Sequence, residues 1–200
     1  MKERPIIFSA PMVRAILDGR KTQTRRVVTQ IKPFDPCDEG LDVYAWTHIE
    51  QWPYRIGQIL WVRETWQSAA AMNQCHVADD YYVYRATDPD WETMEGWKWR
   101  PSIYMPREAS RILLEITGVR VERVQDISED DAWSEGIKRL GPGGTYHASY
   151  DDELGSYNFP MAREAYKELW DSINVKRGYG WGENPWVWEI EFKQAEGEGE

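Results

Sequence analysis

The chain has 200 residues, a formal net charge of -10, 42% hydrophobic residues, 12 Trp and 29% charged residues. That composition suits one folded domain with a real core and excludes a disordered chain. The acidity excludes a broad basic surface that grips long nucleic acid through many phosphates, so any nucleic-acid contact is expected to be local: a loop, an end or a single nucleoside.

Met1 to Pro5 lead straight into Ile6-Ile7-Phe8, too short an apolar run for a signal peptide, and no run approaches the roughly 20 residues of a membrane span. The expected location is the cytoplasm, with no membrane partner. Cys37 and Cys75 lack CxxC spacing, and His48, His76 and His147 are scattered, so neither a disulfide framework nor a metal site is expected, and no cofactor is implied.

In chain order, Pro5 to Phe8 read as a strand. Ser9 is a fit N-cap, Pro11 suits a first turn, and Met12, Val13, Ile16 and Leu17 form an apolar stripe ended by Gly19. Then comes Gly19-Arg20-Lys21-Thr22-Gln23-Thr24-Arg25-Arg26, four cations and two hydroxyls at a helix-to-strand corner. In an acidic protein it is a natural docking point for something anionic or electron-rich, or else a solvated basic turn. Thr22 to Val28 read as a strand in which Thr22 and Thr24 share one face, and Gln23 and Arg25 the other.

Gln30 to Tyr54, with Pro33, Pro36 and Pro53, read as a long excursion. Arg55 to Trp66 read as a strand after a glycine turn. Glu64 at its far end is either a catalytic or binding carboxylate or the partner of a nearby arginine. Ala69 to Met72 suggest a short helix, Asp79 to Ala86 a strand, and Asp88-Pro89-Asp90 a turn. Trp91, Trp97 and Trp99 interleave with Lys98 and Arg100, a pattern shared by base-stacking platforms and aromatic cores.

Ser110 to Val124 are the clearest β-stretch, with Gly118 read as a bend or bulge. Ser128 reads as the N-cap of a two-turn helix, Asp131 as its capping-box partner and Gly136 as its end. This puts Glu135 at an exposed rim, where the helix dipole mildly disfavours a carboxylate. Gly141 to about Pro160 form a loop, Met161 to Ile173 an amphipathic helix, and Trp186 to Phe192 an alternating strand. Residues 194–200 read as an acidic flexible tail.

Strands separated by irregular excursions, with three short-to-medium helices, predict an α+β protein: a small, mostly antiparallel β-barrel with peripheral short helices. The expected organisation is one domain over 1–193, with insertions near 30–54, 67–99 and 139–160.

The GRKTxT corner, the G-Q-I-L-W-V-R-E strand, the D-A-x-x-E-G helix and the terminal N-P-W-V-W-x-I-x-F strand together resemble the ASCH domain. The longer form, with R-P-S-I-Y-M-P-R-E-A-S-R-I before the β-stretch, resembles ASCH proteins of bacteriophages and prophages. The resemblance implies a PUA-like barrel and recognition of RNA or a modified nucleoside. One branch of the family hydrolyses N(4)-acetylcytidine with a Lys, a Thr and a Glu. By motif position these fall on Lys21, Thr24 and Glu135, which the resemblance implies as catalytic in an amidohydrolase. This chain is about twice as long as that branch.

The chemistry is coherent, since amide hydrolysis needs a nucleophile, a base and a proton for the leaving amine. Thr24 would attack, with Thr22 as the other candidate hydroxyl; Lys21 would serve as base and Glu135 would orient it. Arg20, Thr22, Arg25, Arg26 and Glu64 are the expected substrate-binding groups. The alternative is a non-catalytic RNA-binding or protein-interaction module. A nuclease lacks its acidic metal cluster.

Overall fold

In the computed structural model the described residues are 3–29, 53–68, 81–90, 97–140, 145–147 and 158–195. The expected helix at Ala69 to Met72, Trp91, both cysteines, His48, His76 and nearly all of the 30–54 excursion lie outside them, as does the greater part of 139–160.

The architecture is α+β. A five-stranded sheet has the order β1-β3-β6-β10-β2, built from β1 (Arg4–Ile7), β2 (Gln23–Val27), β3 (Ile59–Arg63), β6 (Leu113–Arg123) and β10 (Trp186–Gln194). β1 and β3 are parallel, while β3 with β6 and β10 with β2 are antiparallel. Among the described residues this order is open and is not closed into a barrel. β4 (Trp66–Ser68) pairs β5 (Tyr82–Tyr84), and β7 (Lys138–Leu140), β8 (Thr145–His147) and β9 (Asn158–Phe159) form a small meander. The helices are α1 (Ala10–Leu17), α2 (Glu129–Ser134) and α3 (Ala162–Asn174).

The chain divides into two compact units, one of Met1–Arg20, Gln58–Glu115 and Lys193–Glu200, the other of Lys21–Gly57 and Ile116–Phe192. In the first, Val13, Ala15 and Ile16 of α1 are buried, as are Leu60, Val62 and Leu114 of the strands. Trp66, Tyr84, Met105 and Ala109 make a second apolar cluster. α1 ends as its glycine predicts: Gly19 has φ +71°, its N–H donates to Ile16 O and the Arg20 N–H donates to Ala15 O.

The second unit is built on Val124, Ile127, Ala132, Ile137, Tyr166, Trp170 and Val187. The α3 stripe predicted from the sequence supplies Ala162, Ala165, Tyr166 and Trp170 to it, whereas Ile173 is exposed. Gly118 is not a bend, because β6 runs through it unbroken. A Cβ there would meet the Glu191 carboxylate oxygen at 2.6 Å, so the glycine makes room for a neighbour's side chain. β10 continues past Phe192 to Gln194, into the segment read as a tail.

Candidate functional site

From Lys21 onward the GRKTxT corner falls in the second unit, on β2 and its approach. The local sequence sets β2 as a strand; what surrounds it comes from far along the chain. Register pairs Gln23 with Glu191, Thr24 with Ile190 and Arg25 with Glu189. Alternation therefore splits β2 into a polar face (Gln23, Arg25) and an apolar face carrying Thr24 against the fully buried Ile190.

On the polar face, Lys21 Nζ donates to the Glu135 main-chain oxygen at 2.8 Å and to its Oε2 at 2.7 Å. Arg25 donates from Nη1 to the other oxygen of that carboxylate at 3.2 Å and from Nε to Glu122 Oε1 at 2.7 Å. Arg25 Nη2 also lies 2.7 Å from Glu122 Oε1 and 3.2 Å from Asp131 Oδ2, but lacks hydrogen-bond alignment, so these contacts are Coulombic. Gln23 Nε2 donates to Asp131 Oδ1 at 3.0 Å. From β6, Arg120 donates to Glu122 at 3.0 Å, to Asp131 at 2.9 Å and to Glu191 at 3.4 Å.

Glu135 is thus no exposed rim residue. It is 3% exposed, because α2 ends against β2: Lys21 and Glu135 form a β-bridge, and the Thr22 N–H donates to Ser134 O at 2.8 Å. The helix's last carbonyls are capped by Lys21 and Thr22, and the cation offsets the dipole penalty on Glu135. The Ser128 cap holds as read, its Oγ accepting from the Asp131 N–H at 3.0 Å.

Burial pulls the Lys21 ammonium below the ordinary lysine range, with the Glu135 carboxylate acting against it. Burial alone would lower Arg25 too, but Glu135 and Glu122 carry it above the usual guanidinium value. Asp131 is held below the usual carboxylate range: burial opposes this, and the bonds from Gln23 and Ser128 outweigh it. Glu189 behaves otherwise. Burial pushes its carboxyl up to about 7, with Arg120 and Arg25 pulling only partly back.

Thr24, Thr22, Arg20 and Glu64 do not join this group, whereas Arg26 acts on it through its charge, which opposes that of Lys21 and is drawn to Glu135. Thr24 is buried but lies on the apolar side of β2, and Thr22 is exposed. Arg26 sits opposite Trp188, on the Thr24 side of the strand. Arg20 belongs to the first unit, where it is bound to Asp18 at 2.8 Å. Glu64 is also in that unit, its two oxygens held by Arg111 at 3.0 and 3.1 Å, the arginine pairing foreseen as one of its two readings. Trp97 and Trp99, in the same unit, are half-buried and pack edge to face at 5.3 Å, each ring turned to the other rather than laid open as a platform.

The residues missed by sequence reading are Gln23, Arg120, Glu122, Asp131, Glu189 and Glu191. One signal existed: β10 sets Glu189 and Glu191 at alternate positions between large apolar residues, a pattern that reads as a solvated face and here buries Glu189 while leaving Glu191 part-exposed.

No family model and no curated protein matches the chain. Among solved structures, it is similar to the ASCH domain from Lactobacillus crispatus JV V101, at 15% identity over 96% of this chain and 79% of that one, TM-score 0.43. A second is protein EF3133 from Enterococcus faecalis V583, of family model DUF984, at 12% identity over 91% of this chain and 65% of that one, TM-score 0.39. An ASCH domain is among its structural neighbours. Among the described residues no group of His, Cys, Asp or Glu is placed to hold a metal ion, and no helix is long and apolar enough to cross a membrane.

Proposed function

We propose that this is an ASCH-type, PUA-like module that recognises a nucleobase, in RNA or as a modified nucleoside, on the polar face of β2, β6 and β10. The observation that carries this is the buried face itself. Lys21 and Glu135, both from the motifs that resemble the ASCH family, share one hydrogen-bonded network with Arg25, Gln23, Asp131 and Glu122. A dense set of fixed donors and acceptors suits the polar edge of a base better than a run of phosphates, because the cations here are already matched by carboxylates.

A second reading is hydrolysis of N(4)-acetylcytidine to cytidine and acetate. It is favoured by the desolvated Lys21 held 2.7 Å from Glu135, a base and its orienting group. The position of Thr24 on the apolar side of β2 counts against its part as nucleophile.

The test is calorimetric titration of nucleosides and a short RNA, with chromatography of N(4)-acetylcytidine after incubation with the protein and its Lys21→Ala and Thr24→Ala variants, each verified as folded by circular dichroism. Binding without turnover supports recognition alone. Turnover lost in both variants supports the Lys/Thr/Glu chemistry, and turnover that survives Thr24→Ala removes the threonine. An absence of binding to every nucleoside and to RNA overturns the reading.

A further inference from the structure

We propose that Glu189 is the base-reading residue of this face and takes a planar ligand edge bearing two adjacent N–H donors, the amidine-type edge that guanine presents. This rests on the nucleobase reading above and narrows it to one class of base.

Three observations lead there. Glu189 is 1% exposed, and neither of its carboxyl oxygens has a hydrogen bond among the described residues. The nearest cation atom, Arg120 Nη1, stands 3.3 Å from Oε2 without hydrogen-bond alignment. By contrast, Lys21, Arg25, Glu122, Asp131, Glu135 and Arg120 all spend hydrogen bonds within the network. Two buried acceptors without hydrogen bonds on one carboxylate call for two neighbouring donors.

The charge of the face points the same way. Lys21, Arg25 and Arg120 stand against Glu122, Asp131, Glu135, Glu189 and Glu191, so with all groups ionised carboxylates outnumber cations. Such a face repels a phosphate or carboxylate and favours a donor-rich edge. It already holds one: the Arg120 guanidinium lays Nε on Glu122 and Nη2 on Asp131. Arg120 and Glu191 have side chains 42% exposed and mark where solvent reaches the face.

The proton balance gives a signature that a purely structural carboxyl lacks. Glu189 is faced by Arg120 and Glu122 from β6, by Arg25 from β2 and by Glu191 on its own strand, with Lys21, Asp131 and Glu135 farther round the network. Buried among them it keeps its proton up to a pH of about 7. Two ligand donors need the ionised form, so binding releases that proton. Affinity for guanosine is therefore expected to climb up to tenfold per pH unit below 7 and to level off above it.

The experiment is titration of guanosine, inosine, cytidine and methylguanidine into the protein and its Glu189→Gln variant between pH 5.5 and 8.5. Guanosine is expected to bind best. Inosine, lacking the exocyclic amine, is expected to be roughly tenfold to a hundredfold weaker. Glu189→Gln puts a donor where an acceptor is needed and is expected to cost at least as much and to abolish the pH slope. Its thermal unfolding, expected to stay cooperative because the change is isosteric and uncharged, confirms that lost binding is not lost folding. If cytidine or RNA binds but guanosine holds no advantage, or if Glu189→Gln leaves affinity and pH slope unchanged, this inference falls and the nucleobase reading stands. Binding of methylguanidine without guanosine overturns it in favour of a guanidinium ligand. If no nucleoside or RNA binds, both fall together.

Discussion

Lys21 Nζ makes two hydrogen bonds to one residue, and both partners are buried, so neither charge has water to fall back on. Removing one partner of such a pair typically costs about 3–5 kcal/mol, since the other charge is left desolvated. We expect Lys21→Met to cost about 3 kcal/mol in urea unfolding, the low end, because Arg25 still holds Glu135. The double variant Lys21→Met/Glu135→Leu is expected to cost less than the sum of the singles by about 1–3 kcal/mol. Full additivity would mean that the pair is not coupled. Glu189 gives a pH prediction. The unfolded chain releases this proton near the ordinary value of 4.5, whereas the folded one keeps it to about 7. Between those values the folded state binds more protons, so its contribution is complete below the lower value and is lost as pH rises through the upper one. The slope is at most about 1.4 kcal/mol per pH unit. Glu189→Gln should flatten stability across that window, and an unchanged profile in denaturant titrations would contradict it.

At the level of elements, the signals that worked were local. Gly19 ends α1 and Ser128 starts α2 because a left-handed turn and a hydroxyl cap are decided within a few residues of the chain. Ser128→Ala is expected to cost about 1 kcal/mol in thermal or urea unfolding. The start of α3 was not legible in this way. Its N-cap position is Met161, which makes no side-chain cap; instead the Glu129 carboxylate accepts from the Ala162 N–H at 2.8 Å and the Arg163 N–H at 3.3 Å. That cap comes from α2, over 30 residues earlier. A carboxylate on two main-chain donors at a helix N-terminus is the favourable sign for the dipole, so Glu129→Ala is expected to cost about 1–2 kcal/mol. Equal stability of wild type and variant would show that solvent replaces the cap at no cost. Gly118 misled for a related reason: a glycine inside a strand pattern signals a bulge or a close approach, and only the cross-strand neighbour tells which.

For the whole molecule the decisive quantity is charge placement. The sequence presents Arg20, Lys21, Arg25 and Arg26 as a cationic focus in an acidic chain. In the folded protein Arg20 is bound to Asp18, Lys21 to Glu135, and Arg25 to Glu122 and Glu135. Few of these cations are left to neutralise phosphates, so any RNA affinity should depend weakly on salt. With one or two phosphate contacts, binding is expected to fall less than about tenfold between 50 and 200 mM salt. A drop of a hundredfold or more in fluorescence-anisotropy titrations would show a basic surface that this arrangement does not supply.

What the sequence determined by itself was the α+β class, the periodic elements β1, α1, β2, β3, β6, α2, α3 and β10, and the two polar motif groups around Lys21 and Glu135, because periodicity, caps and turn chemistry act within a few residues. What only the tertiary structure decided was the meeting of those groups: that Glu135 is buried rather than on a rim, that Thr24 lies against Ile190 on the other side of β2 from Gln23 and Arg25, and that Glu122 and Glu189 complete the face. Each of these depends on strand register and on partners about 50 to 165 residues apart. Register is set by how whole apolar faces pack, and no local stretch of chain carries that information.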